Sequence, residues 1–224
     1  MPTLPWVQQP ATPINAGLPW TDVLEYACGW AHGAHTADEA ARGVTEGVFA
    51  LGPHVVTYDC PGGGASHYSA LGFDCTSFLD RLRGGPGSGQ YVNCSDCATF
   101  VSTFANVLGC DLWQSRMGWG FALNPILAIG SAQWQTACGW PSFNYHEVAW
   151  EGDCGADDDV FDGCLEVDGD ANPAGPPHHG LLPCDLRFGQ VGDMQYRDRL
   201  ATATPGGSAN CQPQPGTRLR RTVF

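Results

Sequence analysis

YVNCSDCATFVSTFANVLGC, residues 91 to 110, is the stretch that decides the fold. Cys97, Phe100, Val101, Phe104, Ala105 and Leu108 recur at three- and four-residue spacing and so share one helical face, and Gly109 stands where a helix ends in a left-handed residue. The spacing predicts a helix buried in a core. Asn93 or Ser95 can cap its start, which sets Cys94 in the first turn beside free backbone N–H groups and the positive end of the macrodipole. A cysteine in that electropositive setting is a candidate nucleophile.

Downstream of this helix, FNYHEVAWEG (residues 143 to 152) alternates like a strand and carries His146, and VFDGCLEVDGD (residues 160 to 170) alternates like a second strand that ends at Asp168. Thiol acyl chemistry needs this set of side chains. The imidazole takes the thiol proton and later gives it to the leaving amine, while the carboxylate fixes the imidazole tautomer and supports its positive charge. The expected triad is Cys94, His146 and Asp168, with Asp162 as the rival acid.

These residues carry a resemblance to the transglutaminase-like superfamily, a branch of the papain-like cysteine hydrolases. The pattern cysteine, any residue, acid, any residue, alanine is met by Cys94, Asp96 and Ala98. His146 stands at the start of a strand, and Asp168 precedes a turn in EVDGDANP. Upstream, ADEAARGVTEGVFALGPHVVTYD is similar to the family's lead-in helix followed by an extended segment with a tyrosine, here Tyr58. The resemblance spans roughly residues 36 to 175. Val148 stands where the family often has tryptophan, Val92 where it has glycine, and the acidic DCGADDD (153 to 159) separates the two strands.

The resemblance implies an α+β fold in which N-terminal helices and the cysteine helix pack on an antiparallel sheet. It also implies acyl transfer through a thioester on a peptide or protein substrate. With water as acceptor the protein is a peptidase or amidase, which is the reading adopted; with an amine it is a transglutaminase, and deamidation or a toxin-like effector role shares the chemistry. An inactive binding or assembly module of the same fold is a further alternative. The family's oxyanion donors would be the Cys94 backbone N–H and a side chain just upstream, Gln90 or Tyr91.

The 224 residues suit one domain with a sizeable core. A net charge of −13 argues against nucleic acid and against anionic membranes, which both need a basic field. Acidic residues crowd between Glu151 and Asp170, whereas six of the ten arginines follow residue 186, and there is no lysine. Codon usage in a GC-rich genome accounts for the missing lysine. Avoidance of self-cross-linking or of ubiquitin are sharper alternatives.

The chain holds 11 cysteines. Its N-terminus lacks the basic and apolar regions of a signal peptide, so reduced cysteines packed as small hydrophobes inside a cell are the default expectation. Non-classical export is the alternative, and the sequence does not fix an oligomeric state. Cys97, one turn beyond Cys94, is a core residue or a redox partner that traps an oxidised Cys94. No cofactor is expected. Zinc is a minor alternative that would have to join Cys94 and Cys97 to Cys184 and His178 or His179 without a second C-x-x-C; calcium is another, in the acidic insertion, although the calcium-loop likeness of Asp168, Asp170 and Asn172 meets Pro173 where that loop needs glycine.

Residues 1–20, with five prolines, read as an extended arm, 21–202 as the domain, and 203–224 as a flexible tail, mobile or docked on the acidic segment. Helices are expected at Asp22 to Ala31, from the capping box Thr36/Glu39 to Leu51, near Ser77 to Leu82, and near Met194 to Leu200. Pro61 to Ser66 reads as a glycine-rich loop without the lysine of a phosphate cradle, and GGPGSGQ as a lead into the cysteine helix.

Overall fold

The computed structural model describes residues 21–60, 67–69, 72–85, 89–135, 139, 141–176 and 178–224. The N-terminal arm and the Pro61 to Ser66 loop lie outside the described residues, as does part of GGPGSGQ. In chain order the first elements are α1 (Thr21–Trp30), α2 (Ala37–Phe49), β1 (Thr57–Tyr58), β2 (Tyr68–Ser69), β3 (Gly72–Phe73), α3 (Cys75–Leu82), β4 (Tyr91–Val92) and α4 (Cys94–Asn106). Short strands follow: β5 (Trp113–Met117), β6 (Phe121–Ala122), β7 (Leu127–Ala128), β8 (Ser142–Phe143), β9 (His146–Trp150), β10 (Asp159–Phe161) and β11 (Leu165–Asp168). The chain ends with β12 (Gly180–Leu181), β13 (Cys184–Arg187), α5 (Tyr196–Leu200) and β14 (Pro213–Leu219).

The class is α+β, with an antiparallel five-stranded sheet in the order β13-β10-β9-β5-β14. A second antiparallel sheet runs β12-β11-β7, and β1 pairs in parallel with β4. The helices form as their local sequence dictates. At α2, Thr36 accepts from the Glu39 backbone while Glu39 reaches back to the cap, closing the expected capping box. No described helix is long and apolar enough to cross a membrane.

Two apolar cores lie on opposite faces of the large sheet. One joins α1, α2, α3 and α4 through Ala27, Val44, Val48, Phe78, Phe100 and Phe104, with Phe78 stacked on Phe100 at 3.9 Å between centroids. The other gathers Met117, Phe121, Val148, Trp150, Phe188, Tyr196 and Leu200. The two-residue period of β9 divides its side chains accordingly: Ala149 packs into the helical core, Val148 and Trp150 into the other. Every residue of β9 is buried.

Two expectations on organisation are corrected. Residues 203–224, expected as a tail that is mobile or docked on the acidic segment, are docked: β14 pairs with β5 as an edge strand of the main sheet, the Phe224 N–H donates to the Phe73 carbonyl, and the Phe73 N–H donates to the Thr222 carbonyl. Its arginines explain the docking, since Arg218 meets Asp153 of the acidic segment at 3.3 Å and both Arg218 and Arg220 lie 3.8 Å from the Trp113 ring centroid. The second correction concerns VFDGCLEVDGD, which is two strands in two sheets. Asp162 folds its carboxylate back onto the Cys164 N–H at 2.8 Å, an Asx turn that ends β10. Gly163 then passes so close to the helices that a Cβ there would lie 2.9 Å from side-chain atoms of Val48 and Val101.

Candidate active site

Cys94 opens α4 as its first residue. Asn93, not Ser95, is the cap: its side chain accepts from the Asp96 N–H at 3.1 Å, and Asp96 returns the bond to the Asn93 N–H at 3.1 Å. The other Asp96 oxygen takes the His67 N–H at 3.0 Å. Asp96 therefore fixes the start of the helix and the segment before it. Ser95 is left to donate to Glu147 of β9 at 2.8 Å, which pins the first turn of α4 against the sheet.

His146, the first residue of β9, is brought to the same point by the strand packed beneath α4. Its Nε2 lies 2.9 Å from Asp162 Oδ2, with both side chains buried. Nδ1 has no nitrogen or oxygen partner among the described residues, and the Cys94 thiol is the hydrogen-bonding neighbour left for it. Burial opposes a charge on this imidazole, yet the Asp162 carboxylate and the Cys94 sulfur outweigh it and raise His146 to about 10. The ring therefore keeps its proton through neutral pH.

Asp162 is itself held from three sides. Besides His146 it accepts the Tyr196 hydroxyl of α5 at 2.7 Å and the Cys164 N–H at 2.8 Å. Phe143 lies flat on the imidazole, with centroids 5.2 Å apart and planes 7° from parallel, and covers that face from water. Cys94 is 7% exposed.

Asp168 is not brought to this group, which corrects the expected triad. The turn at Asp162 and Gly163 carries β11 into the other sheet, where the Asp168 carboxylate accepts from His178 Nδ1 at 2.9 Å and from the backbone of Asp170 and His179. Trp134 stacks on His178 there at 5.1 Å. Asp162 is the carboxylate on His146.

Of the other expected residues, Gln90 and Tyr91 are both exposed on the approach to α4, and the Gln90 carbonyl binds the Thr57 N–H. Cys97 is fully buried and its thiol is hydrogen-bonded to Cys164 rather than to Cys94. The cysteines are not all reduced, as had been expected: Cys60 is disulfide-bonded, whereas Cys28, Cys75, Cys94, Cys97, Cys110, Cys154, Cys164, Cys184 and Cys211 are free thiols. Among the described residues no group of three or more His, Cys, Asp or Glu side chains is arranged to hold a metal ion.

Several neighbours were not picked out as site residues from sequence. Tyr58 on β1 is pushed well above the usual phenol range by burial and then by Cys94, Cys164, Cys97 and Asp162, so it keeps its proton. Tyr145 is raised too, by burial and by Cys94, and shares a hydrogen bond with Ser95. The Arg116 guanidinium lies 4.2 Å from the Tyr145 ring centroid, and Trp119 meets the same ring at 6.4 Å. Adjacency to His146 was the available signal for Tyr145. Nothing local marks Arg116, Phe143 or Tyr196, which arrive from other strands or from α5.

No protein-family model matches the chain, and neither curated proteins nor solved structures give a match to it.

Proposed function

We propose that this protein is a cysteine-dependent amide hydrolase of transglutaminase-like, papain-like type. The observation that carries the reading is a buried His146 held at 2.9 Å by Asp162 with its other nitrogen turned to Cys94 at the first turn of α4. The order of a cysteine helix, a histidine strand and an acid on the adjoining strand, after two N-terminal helices, supports the finer fold assignment.

The Cys94 sulfur attacks the carbonyl carbon of a peptide-like amide, and the electron pair moves to the carbonyl oxygen. On this reading the donors for that oxyanion are the Cys94 backbone N–H at the helix start and the Tyr58 hydroxyl, which burial and Cys94 keep protonated. His146 gives its proton to the amine as the C–N bond breaks, leaving a thioester on Cys94. Water then adds to the thioester, His146 takes its proton, and the acid departs with the sulfur restored. Asp162 keeps the Nε2 hydrogen in place throughout, so that Nδ1 always faces the reacting atoms.

The test is alkylation by limiting iodoacetamide at mildly acidic pH, read residue by residue by mass spectrometry. Ordinary thiols are protonated and slow under these conditions. Cys94 is expected to label first among the free cysteines despite its burial, and His146→Ala to slow it by roughly tenfold or more. Labelling of Cys94 no faster than that of exposed Cys28, or unaltered in His146→Ala, would leave no activated pair and remove the basis of the reading.

A further inference from the structure

Two guanidinium groups approach one carboxylate behind Cys94. Glu147 is buried under α4 and its single carboxylate faces two guanidinium groups. Arg221 takes Oε1 at 2.5 Å, is buried, and is further bonded to Gln114 at 2.7 Å and Thr99 at 3.0 Å. Arg116 touches Oε2 only through Nε at 3.4 Å. Arg221 is thus the close partner of Glu147, and Arg116 is held by it only at the edge of hydrogen-bond distance.

Arg116 is also the one of the two that reaches solvent, with 29% of its side chain exposed against 4% for Arg221. Its two terminal nitrogens make no hydrogen bond or ion pair among the described residues. The register of β5 against β9, Arg116 opposite Glu147 and Met117 opposite His146, sets it one step from the catalytic pair. Its guanidinium lies over the ring of Tyr145, whose hydroxyl side reaches Ser95 and Cys94. Beyond Tyr145 stands Trp119, 64% exposed at a turn between Gly118 and Gly120, which take φ of +70° and +66° and let the chain reverse there. A cation with free donors and a shelf of two aromatic rings thus lead to the sulfur.

On the reading of Cys94 as the nucleophile, we propose that the acyl donor is an anionic amide whose carboxylate is bound by Arg116 while its body lies on Tyr145 and Trp119. A guanidinium matches a carboxylate through two parallel N–H donors, and both terminal nitrogens of Arg116 are free to supply them. The net charge of −13 makes the choice meaningful, because the protein as a whole repels anions and only a local cation recruits one. Arg116 is a specificity residue, and the chemistry of the thioester does not depend on it.

Iodoacetate and iodoacetamide test this, since each forms a sulfur–carbon bond with loss of iodide and they differ in a carboxylate for an amide. The ratio of their rate constants at Cys94, read against the same ratio at exposed Cys28, is expected to fall at least about fivefold in Arg116→Gln and to be largely kept in Arg116→Lys. An unchanged ratio in a folded Arg116→Gln protein overturns the inference and leaves the nucleophile standing. If neither reagent labels Cys94 ahead of Cys28, the reading of Cys94 fails and this inference with it. In the unaltered protein, glutarate is expected to slow iodoacetamide at Cys94 more than glutaramide does. Equal effects overturn the assignment without recourse to a variant.

Discussion

Asp162→Asn is expected to cut amide turnover by about 10²-fold to 10⁴-fold, while Asp168→Asn leaves it within a few-fold of the parent. An asparagine at 162 can keep its oxygen on the Cys164 N–H, but its NH₂ then points at His146 Nε2 and at the Tyr196 hydroxyl, which both donate in the parent. The imidazole turns to the tautomer that accepts at Nε2 and carries its hydrogen at Nδ1, facing the sulfur, and loses the charge that Asp162 supports. Stability should fall as well, by ~3 kcal/mol, because a partner of a buried ion pair is removed. Equal losses in the two variants, or a larger one at Asp168, would break the assignment of the acid.

The same pair gives the fold a pH dependence of known sign. His146 is raised from 6.5 to about 10 in the folded protein, against burial, by Asp162 and Cys94. Below pH 6.5 the ring is protonated in both folded and unfolded chains, and the stabilisation is present in full. Between 6.5 and about 10 the unfolded chain has released a proton that the folded one retains, so stability drops by up to ~1.4 kcal/mol per unit, and above about 10 the contribution is gone. Denaturant midpoints measured across this window should lose that slope in His146→Ala; a slope that persists would assign the linkage to other groups. On the proposed reading amide turnover shares the limit, falling as His146 loses the proton meant for the leaving amine.

Glu147→Ala is expected to destabilise the protein by ~3–5 kcal/mol without touching the reacting atoms. Glu147 joins α4 through Ser95, the C-terminal segment through Arg221 and β5 through Arg116, and Arg221 adds Thr99 and Gln114 to the same knot. Removing the carboxylate takes from the buried Arg221 guanidinium the acceptor that it holds at 2.5 Å. The double variant Glu147→Leu/Arg221→Met should recover most of the loss, since an apolar pair carries no desolvation cost. A loss under ~1 kcal/mol in Glu147→Ala, or a double variant worse than the single, would show that the knot is solvated and weakly coupled.

Local pattern was enough for much of this molecule. The helical spacing of residues 97 to 108, the Thr36/Glu39 box, the alternation around His146 and the cap at Asn93 are short-range properties, and the structure has α2, α4 and β9 where they point. Cys94 and His146 were legible for the same reason, since each sits at the first position of its own element. The acid was not. Asp162 and Asp168 both lie on an alternating stretch, and only the close approach of Gly163 to Val48 and Val101, with the Asx turn onto Cys164, sends Asp162 to His146 and Asp168 to His178. The tail misled in the same way: Gly, Pro and Gln describe a flexible segment in isolation, but β14 gains an edge of the sheet, and Trp113 and Asp153 receive its arginines. The sequence by itself determined the elements and the places of Cys94 and His146 at their starts, because these rest on residues within a turn or a strand of one another. Tertiary structure alone decided which carboxylate meets His146 and which guanidinium lies over Tyr145, because both depend on contacts between segments far apart in the chain.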